Sequence, residues 1–383
     1  MKRKVLFFAD GLYGGGAEKV LQTLLYYLNR NKFDITLYSI KQEELNEKYP
    51  KDIDYHYVFA SCASNDSLWK KLWIRCLNKI KLLVYYNLSP KWFYRLFIKG
   101  KYDTEVAFIE GYATRIVSGS TNPKSKKIAW VHIDLEQNHW TKIAYQSSSE
   151  EQKVYKFYDK IIGVSKSVEN VTRKMFPSCK EYTYIYNPVD ANAIRILAET
   201  NIKKKNNRKK SLTFVTCGRL VPQKGYIRLL KIMLCLKDEG FSENFKLIII
   251  GDGEEKEILK SFIYQNNLSE NIELTGYKDN PYTIMKEADC FICSSVAEGF
   301  SLVILEAMIL GLAVISTNCS GPNELLGNSE YGLLVENSDK GLYDGIKRVL
   351  TDKSIINEYK EKSLIRCKDF NLYNIIQKIE EAL

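Results

Sequence analysis

The chain has 383 residues, of which 45% are hydrophobic and 27% are charged, and its formal net charge at pH 7 is +10. This length exceeds that of a typical single domain, so two domains are the default expectation, and the apolar content suffices for two cores. No run of 18 apolar residues occurs, so no membrane-spanning helix is predicted, and the start MKRK passes directly into a strand-like segment without a signal-peptide core.

The nine cysteines and the basic charge limit the class of protein. Cysteines such as Cys217, Cys235, Cys290 and Cys319 lie in apolar or helical contexts, so we interpret them as reduced core residues of a cytosolic protein. The C-x-x-C at Cys290 and Cys293 lies within a predicted strand, and no second pair or nearby histidine supports zinc. No nucleic-acid-binding module is recognisable, so the positive charge indicates an anionic membrane surface rather than nucleic acid.

The first predicted strand is the wholly apolar run Lys4–Ala9, which has the pattern of a buried parallel strand. Asp10 follows it, then a glycine-rich loop with a triplet at Gly14–Gly16, and helical spacing begins at Val20. The dinucleotide fingerprint G-x-G-x-x-G fits this loop poorly. A glycine triplet allows backbone to approach a ligand closely, although a tight strand-to-helix turn is the simpler alternative.

Further strands are predicted at Phe33–Ile40, Asp54–Phe59 and Glu105–Ile109, and they alternate with helices. This alternation is typical of a doubly wound parallel sheet. Asp52-Ile53-Asp54 is formally a D-x-D metal motif, but it lies at a strand start, and we interpret it as a chance match.

The segment Ser67–Lys101 is rich in both cations and aromatic residues. It holds nine Lys or Arg and no acidic residue, and apolar side chains from Trp69 to Leu83 form one stripe at helical spacing. This composition is typical of an interfacial helix on an anionic membrane, although a helix packed on its domain with a solvated basic face is an open alternative. The predicted acceptor or membrane contacts are Lys70, Lys71, Trp73, Arg75 and Lys79.

The next strand runs towards His132 and ends near Asp134. A histidine at the carboxyl end of a parallel strand is a candidate site residue, although a structural histidine is the alternative. The Lys/Asn-rich stretch Asn201–Lys210 is predicted to be a solvated connection. A second domain then begins with the strand Leu212–Cys217, and Arg219 and Lys224 follow in one turn, where both can converge on one anion.

The stretch CSSVAEGFSLVILEAMILGLA, residues 293–313, carries the strongest chemical signal. A strand is predicted at Cys290–Ser294, and a helix with Ser301 as N-cap is predicted to reach Leu310, before Gly311. A strand, a glycine-bearing loop and a helix N-terminus together form an anion site. Glu298 precedes this helix and Glu306 lies inside it, roughly 7 Å along the axis from the N-cap at ~1.5 Å per residue.

The E-x7-E pattern at EGFSLVILEAM resembles the donor site of retaining glycosyltransferases of family 4. The GGAE loop, the turn NPVD at residues 187–190, GRLVPQKG, IIIGDGEE and LTGY resemble further motifs of that family in the same order. The resemblance is strongest from Gly218 to Val335. It implies catalytic roles for Arg219, Lys224, Glu298 and His132. It implies donor contacts for Gly15, Gly16, Gly218, Gly251, Gly276, Tyr277, Gly299, Phe300, Ser301, Leu302 and Glu306.

The resemblance implies an α/β fold of the GT-B type, with two Rossmann-like doubly wound parallel-sheet domains facing a central cleft. Residues 1–190 are expected to form the acceptor-side domain and residues 191–210 a basic linker. Residues 211–367 are expected to bind the nucleotide sugar, and residues 368–383 to return as a helix to the first domain.

The implied activity is transfer of a hexose-type sugar, with retention, from a nucleotide sugar to a glycan or lipid-linked glycan. No metal or other cofactor is expected, since Arg219, Lys224 and the helix N-terminus can stabilise the leaving diphosphate. The expected place is the cytoplasmic face of the cell membrane. Two alternatives stay open: a non-catalytic GT-B subunit or glycan-binding partner, and a sugar-nucleotide epimerase or phosphorylase on the same fold.

Overall fold

The computed structural model describes residues 1–45, 47, 49–200 and 211–383. The contacts divide the chain into two units. Unit 1 comprises Met1–Pro188 and Tyr373–Leu383, and unit 2 comprises Val189–Leu372. Each unit is built around its own parallel sheet, so the prediction of two Rossmann-like α/β domains is confirmed.

Unit 1 contains a seven-stranded sheet in the order β3-β2-β1-β4-β5-β6-β7, and every neighbouring pair is parallel. Its central strands are buried on both faces, which is why their sequences are continuous apolar runs rather than alternating patterns. The strands are β1 Arg3–Ala9, β2 Phe33–Lys41, β3 Asp54–Phe59, β4 Thr104–Ala107, β5 Lys126–Val131, β6 Lys160–Gly163 and β7 Glu181–Tyr184.

Helices connect these strands and cover the sheet. The helices are α1 Gly16–Tyr27, α2 Leu68–Asn87, α3 Pro90–Phe97, α4 Tyr112–Ser118, α5 Ser148–Tyr155 and α6 Lys166–Met175. Helix α1 begins four residues before the predicted helical spacing, immediately at the glycine triplet. Ser165 caps α6 as its sequence suggests, because its side chain accepts a hydrogen bond from Val168 N.

Unit 2 contains a six-stranded parallel sheet in the order β10-β9-β8-β11-β12-β13. The strands are β8 Leu212–Cys217, β9 Phe245–Ile250, β10 Ile272–Gly276, β11 Cys290–Cys293, β12 Ala313–Thr317 and β13 Leu333–Val335. The helices are α7 Ala191–Glu199, α8 Tyr226–Leu236, α9 Lys256–Gln265, α10 Tyr282–Glu287, α11 Leu302–Ile309, α12 Ser320–Leu326, α13 Asp339–Thr351 and α14 Ser354–Arg366. Strands β7, β12 and β13 are not among the predicted strands.

The first part of the predicted basic linker is a helix. Asp190 caps α7 by accepting a hydrogen bond from Ala193 N. The amide of Asn280 donates to Leu197 O at 2.8 Å and so ties the end of α7 to unit 2. Residues 191–199 are therefore part of unit 2 rather than linker, because they gain a cap and a packing surface there. The Lys/Asn-rich residues 201–210 lie outside the described residues.

The thiols follow the predicted pattern only in part, because Cys62, Cys76 and Cys235 are exposed. All nine cysteines are free, and Cys290 and Cys293 are buried in β11, as the core-filling interpretation of the C-x-x-C expects. Cys235 was expected in the core and is exposed instead. It lies on α8 next to Leu236, which takes the buried position at the end of that helix.

The C-terminal helix α15, Leu372–Ala382, belongs to unit 1 from Tyr373 onward. Its end is bound to the amino edge of the sheet, where Thr104 Oγ1 donates to Leu383 O and Lys126 Nζ to Ala382 O, both at 2.6 Å. Glu380 accepts from Lys32 Nζ at 2.7 Å and from Asn29 N at 3.0 Å. These contacts account for the helix returning to the first sheet.

We predict that Ile379→Ala destabilises unit 1. Ile379 is fully buried in α15, and removal of such a side chain leaves a cavity that typically costs about 2–5 kcal/mol. Chemical denaturation monitored by fluorescence measures the effect. The exposed neighbour Lys378 is the control, and Lys378→Ala should change the free energy of unfolding by no more than about 0.5 kcal/mol. Equal effects of the two substitutions would show that α15 does not stabilise the unit.

Candidate functional site

The strand order of the sheet in unit 2 reverses at one place, and a crevice opens there. From β8 the chain proceeds to β9 and β10 on one side, and β11 then pairs with the other side of β8. The loops after β8 and β11 therefore leave the sheet in opposite directions, and ligands of such sheets bind where this happens. Residues 218–225 follow β8 and residues 294–301 follow β11. These are the two loops that the sequence motifs select.

Lys224 and Glu298 form an ion pair across this crevice. Lys224 Nζ lies 2.6 Å from Glu298 Oε1, and the two side chains are only 21% and 9% exposed. Burial disfavours the charged ammonium, but the charge of Glu298 and its hydrogen bond outweigh burial and raise the pKa of Lys224. Ser295 Oγ donates to the same Glu298 oxygen at 2.7 Å. The carboxylate is therefore held by two donors that belong to the two different loops.

A second cation stands beside this pair. Arg219 is exposed, and its positive charge acts on Lys224 in the direction that lowers the pKa of the ammonium. No hydrogen-bond acceptor contacts the Arg219 guanidinium within the described part of the chain. Two cations held close together without a neutralising carboxylate for each are suited to an anion with more than one charge. The predicted convergence of Arg219 and Lys224 is consistent with this geometry.

Helix α11 begins at the same edge with a free hydroxyl. Ser301 occupies the N-cap position, as predicted, but its side chain makes no capping bond. Its Oγ is buried and has no partner among the described residues. An unused hydroxyl beside the first backbone N–H groups of a helix is suited to donate a hydrogen bond to a phosphate oxygen. Gly311 ends the helix in the left-handed conformation, with φ +74°, as expected.

Glu306 lies inside α11 and is 2% exposed. A charged side chain is rarely buried this fully unless it has partners or a ligand. The structure thus places both carboxylates of the E-x7-E pattern in protected positions, one in the loop and one in the helix.

Among the predicted donor-site glycines, Gly251 has a packing explanation. Gly251 has φ +150°, and a Cβ there would lie 1.9 Å from Gly218 O, so the loops after β8 and β9 touch through backbone. Gly251 N donates to Gly276 O at 3.0 Å, which extends the contact to the end of β10. Tyr277 follows with an exposed ring. Gly299 and Phe300 pack against Gly321, where a Cβ would lie 2.6 Å from Gly299 O.

The predicted site residues of unit 1 lie at the carboxyl edge of its own sheet. Gly15 is the N-cap of α1, and a Cβ there would lie 2.5 Å from Glu18 Oε2, so a larger residue would require the Glu18 side chain to move. His132 follows β5, and its ring packs against Phe108, at 4.9 Å between centroids. Burial lowers the pKa of His132 to about 4, and its Nε2 is buried without a partner among the described residues. The ring is therefore neutral at pH 7.

Three residues of these edges were not predicted. Ser295 holds Glu298, and Asp10 and Glu110 follow β1 and β4. Asp10 and Glu110 each come directly or shortly after an apolar strand run, so the same strand-end rule that selected His132 could have found them. Ser295 carries no comparable signal, because its role depends on how the loop folds back.

Helix α2 presents its apolar stripe outward. Its inner side is held by polar bonds, since Lys71 Nζ donates to Ser64 O, Asn78 Nδ2 to Ala60 O and Lys81 Nζ to Val58 O. Trp69 and Trp73 are 83% and 66% exposed on the opposite side. Leu72, Leu77, Ile80 and Leu83 are exposed with them. The alternative in which this stripe covers the sheet is therefore wrong.

The cations of the same helix have different roles. Lys70 pairs with Asp66 at 2.6 Å, and Lys71 points inward, so the expectation that Lys71 faces a membrane is corrected. Arg75 and Lys79 remain exposed beside the apolar stripe, and neither forms a side-chain hydrogen bond or ion pair with another described residue. Counted along the sequence, the whole net charge of +10 falls in unit 1, and residues 189–372 contain equal numbers of positive and negative side chains.

The D-x-D motif is divided between two partners. Asp52 pairs with Arg30 at 2.8 Å, and Asp54 pairs with His56 at 3.0 Å. Within the described ranges, no three His, Cys, Asp or Glu side chains are grouped in the way that metal ligands would be. Of the helices that the structure describes, none is long and apolar enough to cross a membrane.

Comparisons with known proteins indicate one class of enzyme. Residues 198–364 match the family described as Glycosyl transferases group 1. The chain is 28% identical over 376 residues, 97% of both chains, to the N-acetylgalactosamine-N,N'-diacetylbacillosaminyl-diphospho-undecaprenol 4-alpha-N-acetylgalactosaminyltransferase of Campylobacter jejuni. It is 30% identical over 176 residues, 45% of both chains, to the UDP-Gal:alpha-D-GlcNAc-diphosphoundecaprenol alpha-1,3-galactosyltransferase of Escherichia coli.

Solved structures agree on the fold. HepE from Anabaena, crystallised with UDP, superposes with a TM-score of 0.71 at 18% identity and 99% coverage of both chains. TarM superposes with a TM-score of 0.72 at 14% identity, over 100% of this chain and 98% of that one. The protein is therefore a glycosyltransferase with the GT-B fold. Residues 198–364 of unit 2 are the part of the chain that matches the group 1 domain.

We predict strong coupling between Lys224 and Glu298 in a double-mutant cycle. Lys224→Met leaves a protected carboxylate without its counter-charge and should cost about 3 kcal/mol of stability. Adding Glu298→Gln should recover part of that loss. Because the pKa of Lys224 is raised in the folded state, its contribution is fully present below the unfolded pKa and is lost as pH rises through the higher folded value.

The exposed pair Lys347–Glu239, also in unit 2, is the control for this cycle. The Lys347 nitrogen and the Glu239 oxygen lie 2.7 Å apart, but both side chains are about 40% exposed, so solvent screening should leave this pair much less coupled than Lys224 and Glu298. Equal coupling energies for the two pairs, measured by urea denaturation, would contradict the special environment of Lys224 and Glu298.

Proposed function

We propose that the protein is a retaining glycosyltransferase of family 4. It transfers a hexose-type sugar from a UDP-sugar to a hydroxyl of a lipid-linked glycan, in the synthesis of a bacterial surface polysaccharide such as a capsule. The observation that carries this proposal is the cluster at the β8–β11 crevice: Arg219, the Lys224–Glu298 pair and the unused hydroxyl of Ser301. The named relatives from Campylobacter jejuni and Escherichia coli, which act on undecaprenol-diphosphate-linked sugars, support the acceptor class.

The cluster suits a nucleotide diphosphate as the leaving group. A diphosphate carries charge on several oxygens, and Arg219, Lys224 and the N-terminus of α11 offer donors of three kinds to it. Glu306 is proposed to hold the ribose further along α11. When the bond between the anomeric carbon and the diphosphate breaks, negative charge grows on the phosphate oxygens, and fixed donors stabilise that charge without reorganisation.

Glu298 has a different part in this proposal. Lys224 neutralises it in the ligand-free protein, and a bound diphosphate would compete for the same ammonium. The carboxylate would then be available to hydroxyls of the donor sugar, while Ser295 keeps it in position. We propose attack by the acceptor on the face from which the diphosphate leaves. The diphosphate itself then assists removal of the acceptor proton, so no protein nucleophile and no metal is required.

We predict that Arg219→Ala and Lys224→Ala each lower kcat by about 10²–10³, because both act on charge that develops at the leaving group. Transfer from UDP-sugars, assayed with and without EDTA, measures this. Lys231→Ala is the control, since Lys231 is an exposed lysine of α8 away from the crevice. Changes confined to KM, or activity that requires added Mg²⁺ or Mn²⁺, would contradict the proposal.

A donor screen tests the nucleotide class directly. A UDP-sugar present at one hundred times its Kd should stabilise the protein by about 2.7 kcal/mol, which a thermal shift detects. Stabilisation by another nucleotide sugar but not by UDP-sugars would reassign the donor. Interconversion of sugar nucleotides without an acceptor would indicate an epimerase.

The same proposal places the protein at the cytoplasmic face of the cell membrane as a peripheral enzyme. The support is the outward stripe of α2 with Trp69 and Trp73, flanked by Arg75 and Lys79, on the unit that carries the net positive charge. Aromatic and aliphatic side chains bordered by cations are typical of helices that lie in a membrane interface. Each cation near an anionic leaflet contributes about 1 kcal/mol.

We predict that the protein sediments with vesicles containing phosphatidylglycerol and not with phosphatidylcholine alone. Trp69→Ser with Trp73→Ser, and separately Arg75→Glu with Lys79→Glu, should each weaken binding at least about tenfold, and added salt should weaken it further. The control is Lys231→Glu with Lys278→Glu, the same charge change on exposed residues of unit 2. Equal losses from the control pair would show a non-specific charge effect rather than a docking helix.

A further inference from the structure

The sheet of unit 1 has its own point of reversal. From β1 the chain proceeds to β2 and β3 on one side, and β4 then pairs with the other side of β1. The carboxyl ends of β1 and β4 therefore flank a crevice of the same kind as the β8–β11 crevice in unit 2. Asp10 follows β1 and Glu110 follows β4, so two carboxyl groups border this crevice.

Glu110 is fully engaged in holding the surrounding loops. It is 3% exposed, and its Oε2 accepts from His132 N at 2.8 Å while its Oε1 accepts from Trp140 Nε1 at 3.2 Å. Burial raises the pKa of this carboxyl. Both oxygens of Glu110 are therefore already engaged by the segment that follows β5.

One carboxyl oxygen of Asp10 is available as a hydrogen-bond acceptor. Its Oδ1 accepts from Ala113 N at 3.0 Å, at the start of α4, and its Oδ2 has no hydrogen-bond partner in the described part of the chain. The residue is partly exposed, unlike Glu110, so a ligand in the crevice can reach it. Burial raises the pKa of the Asp10 carboxyl well above its usual range. The hydrogen bond from Ala113 N opposes this rise, and the negative charges of Glu110 and Glu18 add to it.

The neighbours of Asp10 do not neutralise it. Glu18 and Glu110 are acidic, and the hydroxyl groups of Tyr85 and Tyr112 stand near it with raised pKa values. A carboxylate kept in such surroundings at the mouth of a crevice costs stability, and this cost is typical of a group retained for binding. A free carboxylate oxygen is a hydrogen-bond acceptor, and sugar hydroxyls are donors.

We propose that Asp10 Oδ2 accepts a hydrogen bond from a hydroxyl of the acceptor glycan and thereby selects and orients it in unit 1. This inference rests on the proposed function, because it presumes a glycan acceptor. It adds a residue of unit 1 that no motif of the donor site includes. Glu110 acts beside it as a positioning residue, since it fixes the backbone of His132 and the ring of Trp140.

Asp10→Asn tests the assignment. The amide keeps the size of the side chain and the bond from Ala113 but replaces the charged acceptor, so the Kd of an acceptor should rise about 10- to 100-fold. The probe is a short-chain prenyl-diphosphate-linked N-acetylhexosamine, and calorimetry measures its binding without requiring transfer. The Kd of UDP should stay within twofold, and the unfolding temperature should not fall, because a poorly solvated carboxyl group is replaced by a neutral amide of the same size.

Asp34→Asn is the control, because Asp34 is an exposed aspartate on β2 of the same unit. Asp10→Glu, which keeps the charge, should retain part of the affinity for the probe. An unchanged Kd for the probe in Asp10→Asn, an equal loss of UDP binding, or a wild type that does not bind the probe would each overturn the inference. A wild type that binds the probe but transfers no sugar would sink the proposed function and leave the binding test of Asp10 intact.

Discussion

The structure depends on one constraint of parallel sheets. Adjacent parallel strands are joined by helices that cover the faces, so loops can open a crevice only where the order of the strands reverses. In unit 2 this happens between β8 and β11, and in unit 1 between β1 and β4. Each polar residue that we assign to a ligand comes after one of these four strands or after a strand next to them, as His132 comes after β5. Glycines occur near these strand ends for the same reason, because loops that leave neighbouring strands must pass each other with their backbones in contact.

Within unit 2 the crevice is organised by unequal charges. Two cations, Arg219 and Lys224, meet one carboxylate, Glu298, and only Lys224 is paired with it. The hydrogen bond from Ser295 fixes the carboxylate independently of Lys224. If a ligand drew the Lys224 ammonium away, the hydrogen bond from Ser295 would therefore still hold Glu298 in place. A site with a surplus cation and a separately held carboxylate can bind a phosphate group and a sugar hydroxyl at the same time.

Much of this could be predicted from the sequence, because the local signals are strong. The buried strands are continuous apolar runs, and the motif-bearing loops follow them directly, so β1, β8 and β11 and the residues after them were placed correctly. The ion pair itself joins residues 74 positions apart, and no local pattern specifies such a contact. Ser301 was placed at the N-cap, but its unused hydroxyl is a matter of side-chain rotamer and neighbours. Strand β7 is short and only partly buried, so it lacks the apolar signature.

Helix α2 shows why an amphipathic pattern alone is ambiguous. The spacing from Trp69 to Leu83 establishes an apolar face and a polar face, but either face could meet the sheet. Backbone carbonyls at Val58, Ala60 and Ser64 decide the outcome, because they lie at or beyond the exposed edge strand β3 and need donors. Lys71, Asn78 and Lys81 supply those donors, so the polar side turns inward and the tryptophans turn outward. In this orientation the Lys81 ammonium is partly buried, and burial lowers its pKa because it disfavours the charged form. The way β3 ends therefore determines which face of α2 is exposed, and it leaves the large apolar side chains of the helix on the outer side.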